Sequence, residues 1–432
     1  MAYIHLDVVE VLAWGQTVGA VALDPRSGYY VFEYVPSWRR SGVELAPTTM
    51  PTATARHVFP ALPPVTFHRL PALLADALPD DFGNALTTAY LVNAGVDRGS
   101  ITPLDRLAYL GNRGTGALEF RPARGPRSRK PTAVALSELV TAARSAVTGA
   151  FNTGTGITEA LAHLIAVGTS AGGARAKAVI SWNPDTDEVR SGQMGADPGF
   201  QQWLVKLDGV GPDHDLGESA DYGRIEYAYH RMARAAGITM SECRLLHEGG
   251  RAHFMTRRFD RRPDGTKVHM QTLCALAHLD FRQIGVHDYA ELFDLIDRLD
   301  LGPDARAEAF RRMVFNVAAA NCDDHTKNVS FLLEPGGGWE VSPAYDMTHA
   351  HSPTSTWTAQ HLMAVNGRRV GITGDDLSVV ADRFAVPGSR PIVAQVLDAI
   401  ASWSEFAQQA GVGATAADEV GRDLAVWSKP LR

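Results

Sequence analysis

Short apolar, β-rich runs broken by turn residues dominate the start of the chain, at positions 8–13, 18–23 and 29–34. They read as strands, and Asp24-Pro25-Arg26-Ser27-Gly28 supplies a turn between the last two. They predict a small antiparallel unit. A Pro-rich passage at 60–71 leads to a helix predicted over 84–93, then to the glycine-rich run from Tyr109 to Phe120. After Ser137 the spacing turns helical through 147, glycines recur over 149–173, and 176–182 and 203–207 read as strands. Helices are then predicted over 224–236, 272–279, 290–299 and 305–320. A hairpin of 329–333 with 339–341 follows, around Gly336-Gly337-Gly338. Beyond about 375 the pattern is helical, with apolar spacing such as Ile392, Val396, Leu397 and Ile400. The class is α+β: a small β-rich N-terminal domain, then a larger part that ends mostly helical.

Composition changes this picture little. With 432 residues, 45% hydrophobic and 21% charged, the chain suits two or three domains with substantial cores. The formal charge of −7 gives no global attraction to nucleic acid. A local basic strip from Arg121 to Lys130 could meet an anionic partner, but Pro and Gly interrupt it and no aromatic is interleaved, so a solvated linker fits it better. Cys243, Cys274 and Cys322 are the only cysteines and form no CxxC, which points to a reducing compartment. No basic-then-apolar leader pattern opens the chain, and no run approaches the ~18 apolar residues of a membrane span. The expectation is a cytoplasmic protein without membrane contact.

Chemistry concentrates in Asn321-Cys322-Asp323-Asp324-His325-Thr326-Lys327-Asn328, followed by Ser342-Pro343-Ala344-Tyr345-Asp346. Asp323 precedes Asn328 by five positions, the offset that separates base from metal-holding Asn in a kinase catalytic loop. Phosphoryl transfer needs one carboxylate to orient the attacking hydroxyl, and a carboxylate with an amide oxygen to hold the metal. Asp323, Asn328 and Asp346 supply that set in order. The same Asp and His residues, with His349 and His351, would also suit a metal-dependent phosphohydrolase, although no HExxH-type spacing occurs. His325 is expected to order the loop. Upstream, Thr169-Ser170-Ala171-Gly172-Gly173-Ala174-Arg175-Ala176-Lys177 could bring backbone amides and cations to phosphate, or be a plain surface loop. Lys206, alone in an apolar strand pattern, is either an edge lysine or the cation that grips ATP phosphates. Glu226, twenty residues on, would orient it or merely open a helix. Asp81-Phe82-Gly83 spells a kinase metal triplet but precedes every other element. It is expected to form a turn before the helix at Asn84, with Asp80 or Asp81 as cap.

The order of these motifs resembles the HipA family, the kinase components of bacterial HipA/HipB-type toxin–antitoxin systems. The resemblance rests on Leu78-Pro79-Asp80-Asp81-Phe82-Gly83, Gly111 to Phe120, Ser170 to Lys177, Arg258-Phe259-Asp260-Arg261, Phe315-Asn316, Asn321 to Asn328 and Ser342 to Asp346. It implies a HipA N-terminal-like domain over 1–122, a linker over 123–136 and a distant protein-kinase-like, two-lobed domain over 137–432. The small lobe would span about 137–260 and the helical large lobe about 261–432. It implies an ATP- and Mg2+-dependent serine/threonine kinase with Asp323 as base, supported by His325 and Lys327, and Asn328 and Asp346 on magnesium. ATP would meet Ser170, Gly172, Gly173, Arg175, Lys177, Lys206 and Glu226, with Met255, Thr256, Arg257 and Arg258 as the hinge along adenine. Autophosphorylation on Ser170, with Thr169 beside it, would silence the enzyme, because a dianion there repels ATP phosphates. The family's targets include aminoacyl-tRNA synthetases, and its DNA contact runs mainly through a small helix-turn-helix antitoxin. A catalytically idle corepressor that binds the antitoxin is the alternative reading within the same fold.

Overall fold

The computed structural model describes residues 4–79, 81–125, 176–192, 198–208, 221–248 and 250–432. The expectations placed on the linker, on the helix ending at 147, on the glycine loop with Thr169, Ser170, Gly172, Gly173 and Arg175, and on Asp80 lie outside these residues. The chain divides into two compact units. One comprises Met1–Gly211, Arg257–Gln271 and Leu332–Gly338; the other comprises Pro212–Thr256, Thr272–Phe331 and Trp339–Arg432.

In the first unit, strands β1 (Val8–Ala13), β2 (Gln16–Asp24), β3 (Tyr29–Tyr34), β4 (Arg56–His57) and β5 (Leu118–Arg121) form one antiparallel sheet in the order β4-β3-β2-β1-β5. Trp14 and Gly15 join β1 to β2 with φ of 49° and 77°, the left-handed pair that a two-residue hairpin turn requires. Val9, Val11, Val21 and Phe32 are fully buried. Their burial fixes the register, since a one-residue slip would turn the apolar set to water. The helix predicted at 84–93 runs Asp81–Asn93, so Asp81 and Gly83 lie in its first turn rather than in a preceding turn. An aspartate there is favoured by the partial positive charge of the helix start.

Three further strands follow: β6 (Lys177–Trp182), β7 (Val189–Ser191) and β8 (Gln201–Lys206), with β6 antiparallel to both others. Lys177 opens β6, within the strand read over 176–182, and it stands directly opposite Lys206. Residues so paired project to the same face of a sheet. The Arg258 to Arg261 motif forms a buried ionic node. Arg258 Nη2 and Arg261 Nη1 donate to Asp260 Oδ2 at 2.7 and 2.8 Å, and the Gly116 N–H donates to the same oxygen at 2.8 Å. Burial alone would raise this carboxyl, but the charges of Arg258 and then Arg261 outweigh it and hold it far below the usual carboxylate range. Burial and the neighbouring Arg258 charge in turn bring Arg261 down to about 10.

In the second unit, β9 (Cys243–Glu248) and β10 (Arg251–Arg257) form a hairpin. The rest is mostly helix: Tyr222–Ala235, Leu273–Ala277, Tyr289–Arg298, Gly302–Ala318, and a C-terminal set of Gly374–Arg383, Ser389–Ala401, Trp403–Ala410 and Ala414–Ser428. Tyr229, Phe293, Phe310, Phe315 and Trp403 sit in its core. Gly223 packs its helix onto the hairpin, because an added Cβ would lie 2.0 Å from the Ala252 carbonyl oxygen.

Removing the charge of Asp260 leaves two nearly buried guanidiniums without compensation. Asp260→Asn is therefore expected to cost about 3 kcal/mol or more in urea unfolding. The wild-type advantage should fade as acid titrates Asp260, since a carboxyl held low in the folded state stabilises only while ionised. An unchanged unfolding midpoint at pH 7 would contradict the assignment.

Candidate active site

The second unit gathers Asp323, His325, Lys327, Asn328 and Asp346 around the end of the helix Gly302–Ala318. That helix stops because Ala320 turns left-handed, at φ 50°. The Asn321 N–H then reaches back to Asn316 O at 3.0 Å and the Ala320 N–H to Val317 O at 3.4 Å. These two bonds close the helix, and a non-glycine residue in that conformation costs roughly 1 kcal/mol. The strain is spent to aim the next eight residues.

Asn321 Nδ2 donates to Asn316 Oδ1 at 2.9 Å and, more weakly, to Asp346 O at 3.4 Å. Asn316 Nδ2 donates to the Tyr289 hydroxyl at 2.9 Å, and that hydroxyl donates to Asp324 Oδ2 at 2.9 Å. Asp324 is completely buried and also accepts from His361 Nδ1 at 2.9 Å and the Leu362 N–H at 2.8 Å. The loop thus hangs on a dry polar chain that touches two helices and the segment beyond Asp346. Its lower wall is aromatic: the Phe281 ring lies 5.3 Å from that of His325, with Lys327 Nζ 4.9 Å above it.

Asp323 itself is 40% exposed at the side chain. Trp357 Nε1 donates to its Oδ1 at 2.6 Å, and His325 Nε2 stands 3.7 Å from the same oxygen. Desolvation among its surroundings raises the Asp323 carboxyl, with Asp346 and Asp324 adding to that, while His325 and Trp357 pull it back in part. Asn328 Nδ2 donates to the Asp323 carbonyl at 2.7 Å. With its nitrogen committed, Asn328 offers Oδ1 to a ligand. Asp346 sits at φ 54°, a left-handed conformation that an aspartate tolerates better than most. Its approach is fixed by Tyr345, whose hydroxyl donates to Lys327 O at 2.7 Å, and by Arg312, which donates to Ser342 O at 2.7 Å. An amide oxygen and a carboxylate are the hard donors magnesium prefers, so this donor set fits that ion. Among the described residues, no three His, Cys, Asp or Glu side chains group as metal ligands. His349 Nε2 and His351 Nδ1 are instead each 2.9 Å from Asp423 Oδ2.

The remaining expected residues fall as follows. Lys177 and Lys206 face each other in the first unit, Lys177 buried and Lys206 half-buried. Glu226 lies in the second turn of the helix Tyr222–Ala235 and is buried, rather than being an exposed first-turn acid. Met255 is buried within β10, and Thr256 and Arg257 end that strand. Arg257 and Arg258 line a half-open cavity of about 360 Å³ in the first unit, with Gln201, Gln202, Arg261 and Arg262. Arg258 is tied into the Asp260 node, so it supports this wall through its ion pair. Trp357 and Phe281 went unread in the sequence. Trp357 lies in a Ser- and Thr-rich stretch with no period, and only its three-dimensional proximity to Asp323 reveals it.

Residues 9–121 match the HipA N-terminal domain and residues 169–425 the HipA-like C-terminal domain, so the chain belongs to the HipA family. Its fold resembles that of the HipA chain in the Shewanella oneidensis MR-1 complex of HipA, HipB and operator DNA. The TM-score is 0.67 at 16% identity, covering 98% of this chain and 95% of that one. A curated relative from Sinorhizobium fredii (strain NBRC 101917 / NGR234), described as "Putative kinase Y4mE", is 24% identical over 194 residues. That match covers 42% of this chain and 40% of the relative's length. Among the described residues no helix is long and apolar enough to cross a membrane.

Because folding raises the Asp323 carboxyl, its ionised form is less stable in place than free in water. Asp323→Asn keeps an acceptor for Trp357 and removes that penalty. The variant is expected to melt at a higher temperature than wild type at pH 7. The difference should shrink as pH falls through the raised value, where wild-type Asp323 is also neutral. A variant that melts lower at pH 7 would contradict the burial argument.

Proposed function

We propose that the chain is an ATP- and magnesium-dependent serine/threonine protein kinase, the growth-inhibiting toxin of a toxin–antitoxin pair. The observation that carries this reading is the Asn328 to Asp323 hydrogen bond. One short loop holds Asp323 and Asn328 together, with the Asp346 backbone bonded through Asn321, which supports reading Asp323 as base and Asn328 Oδ1 with Asp346 as metal donors. Asp323, exposed on one side, would accept the proton of a substrate hydroxyl as its oxygen attacks the terminal phosphate of ATP. Asn328 Oδ1 and Asp346 would hold magnesium, which when bound neutralises charge on the phosphate oxygens. Lys177 and Lys206, opposite each other on one face of β6 and β8, would supply cations to the nucleotide phosphates. Arg257 and Arg258 line a polar wall consistent with the expected hinge, and Glu226 would orient Lys206.

Autophosphorylation on Ser170 would silence the enzyme by placing a dianion where ATP phosphates bind. The partner would be a small helix-turn-helix antitoxin that carries the DNA contact, in line with the HipB and operator DNA in the related complex. The target would be a protein hydroxyl, with an aminoacyl-tRNA synthetase as the class suggested by the family.

Asp323→Asn and Asp346→Asn are each expected to abolish transfer of labelled phosphate from ATP to protein, a loss of at least 100-fold. Label that persists in both variants would sink the assignment. In the wild type, the acid limb of the rate against pH should lie above the ordinary aspartate value of 3.8, because the base must be ionised and its folded carboxyl is raised. Mass spectrometry after incubation with ATP should place a phosphate on Ser170, and its absence there would remove the self-silencing step.

A further inference from the structure

We propose that Trp357 is a positioning residue for the base: its indole N–H holds Oδ1 of Asp323 and thereby presents Oδ2 to the substrate hydroxyl. This rests on the kinase reading above and names a part of the site that the catalytic motifs do not contain. Both contacts to the carboxylate, from Trp357 Nε1 at 2.6 Å and from His325 Nε2 at 3.7 Å, fall on Oδ1. Oδ2 accepts no hydrogen bond among the described residues. A carboxylate held by neither oxygen turns freely about its last torsion, and misplacement of a base by an ångström is enough to cost orders of magnitude in rate. An indole suits this task because its nitrogen donates and cannot accept, so Trp357 cannot compete for the proton that Asp323 is to receive.

Trp357 is itself held on several sides. Its ring packs edge-on against Phe281 at 6.5 Å and His325 at 6.1 Å, and its backbone N–H donates to Ser355 Oγ at 3.1 Å. Four residues on, His361 reaches Asp324, and so does the Leu362 N–H. One irregular segment therefore bonds both members of the Asp323-Asp324 pair, the exposed one through an indole and the buried one through an imidazole and an amide. The stem of that segment is fastened by His349 and His351 to Asp423 on the C-terminal helix Ala414–Ser428. The segment following the metal aspartate thus arrives already docked.

The test uses the full chain and Trp357→Phe, which keeps an aromatic ring against Phe281 and His325 and removes the N–H donor together with the pyrrole part of the indole. Phosphate transfer from γ-labelled ATP to protein should fall about tenfold or more. The Kd for ATP should stay within about twofold. In parallel, the Trp357 indole N–H resonance, identified by its loss in Trp357→Phe, should shift in Asp323→Asn. An unchanged rate in Trp357→Phe, a loss confined to ATP affinity, or an indole resonance indifferent to Asp323→Asn would each overturn the proposal. A responsive indole in a wild-type chain that phosphorylates nothing would keep the contact, overturn its catalytic purpose, and place the failure in the kinase reading.

Discussion

The buried carboxylate of Asp324 is the constraint on which the second unit's site depends. A fully desolvated charge of this kind survives only when its lone pairs are satisfied, and here a phenol, an imidazole and a backbone amide all converge on it. Tyr289 donates from one helix and His361 with Leu362 from one later segment, so satisfying Asp324 brings the helix Tyr289–Arg298, the Asn321–Asn328 loop and the segment after Asp346 to one point. Asp323 is then exposed because its neighbour is not. Adjacent residues in an extended loop point in opposite directions, and anchoring Asp324 inward leaves Asp323 partly exposed.

The first unit solves a different electrostatic problem. Asp260 lies between Arg258 and Arg261, one acid for two bases, and the Gly116 amide adds a third donor. Lys177 and Lys206 stand opposite each other on one face of β6 and β8 in the same unit.

Much of this was legible in the chain. Strands β1 and β3 fall on the predicted runs to the residue, because both are β-rich stretches bounded by turn residues. The helices from 222 onward fall within a few residues of their apolar spacing. The offset between Asp323 and Asn328 was readable because a single short loop sets it. Asp81-Phe82-Gly83, read as a turn before the helix at Asn84, is instead the first turn of that helix, which begins at Asp81. Lys177 closes the glycine-rich motif and also falls in the strand read over 176–182, and the burial of every residue from Lys177 to Trp182 holds it in β6. Trp357 could not have been found from spacing, since its role depends on a loop whose path is set by Asp324 and Asp423 rather than by any period.

Strain is concentrated where the chemistry is read. Ala320 and Asp346, on either side of the loop, both adopt left-handed conformations, and the ionised form of Asp323 is disfavoured by its surroundings. Active sites commonly hold such costs because a relaxed loop would not present its groups in one geometry. The most direct test of the whole account is a single-turnover experiment with magnesium and γ-labelled ATP, following where the label goes. The account predicts label bound covalently to protein hydroxyls. Label recovered only as inorganic phosphate, or retained entirely in ATP, would contradict it.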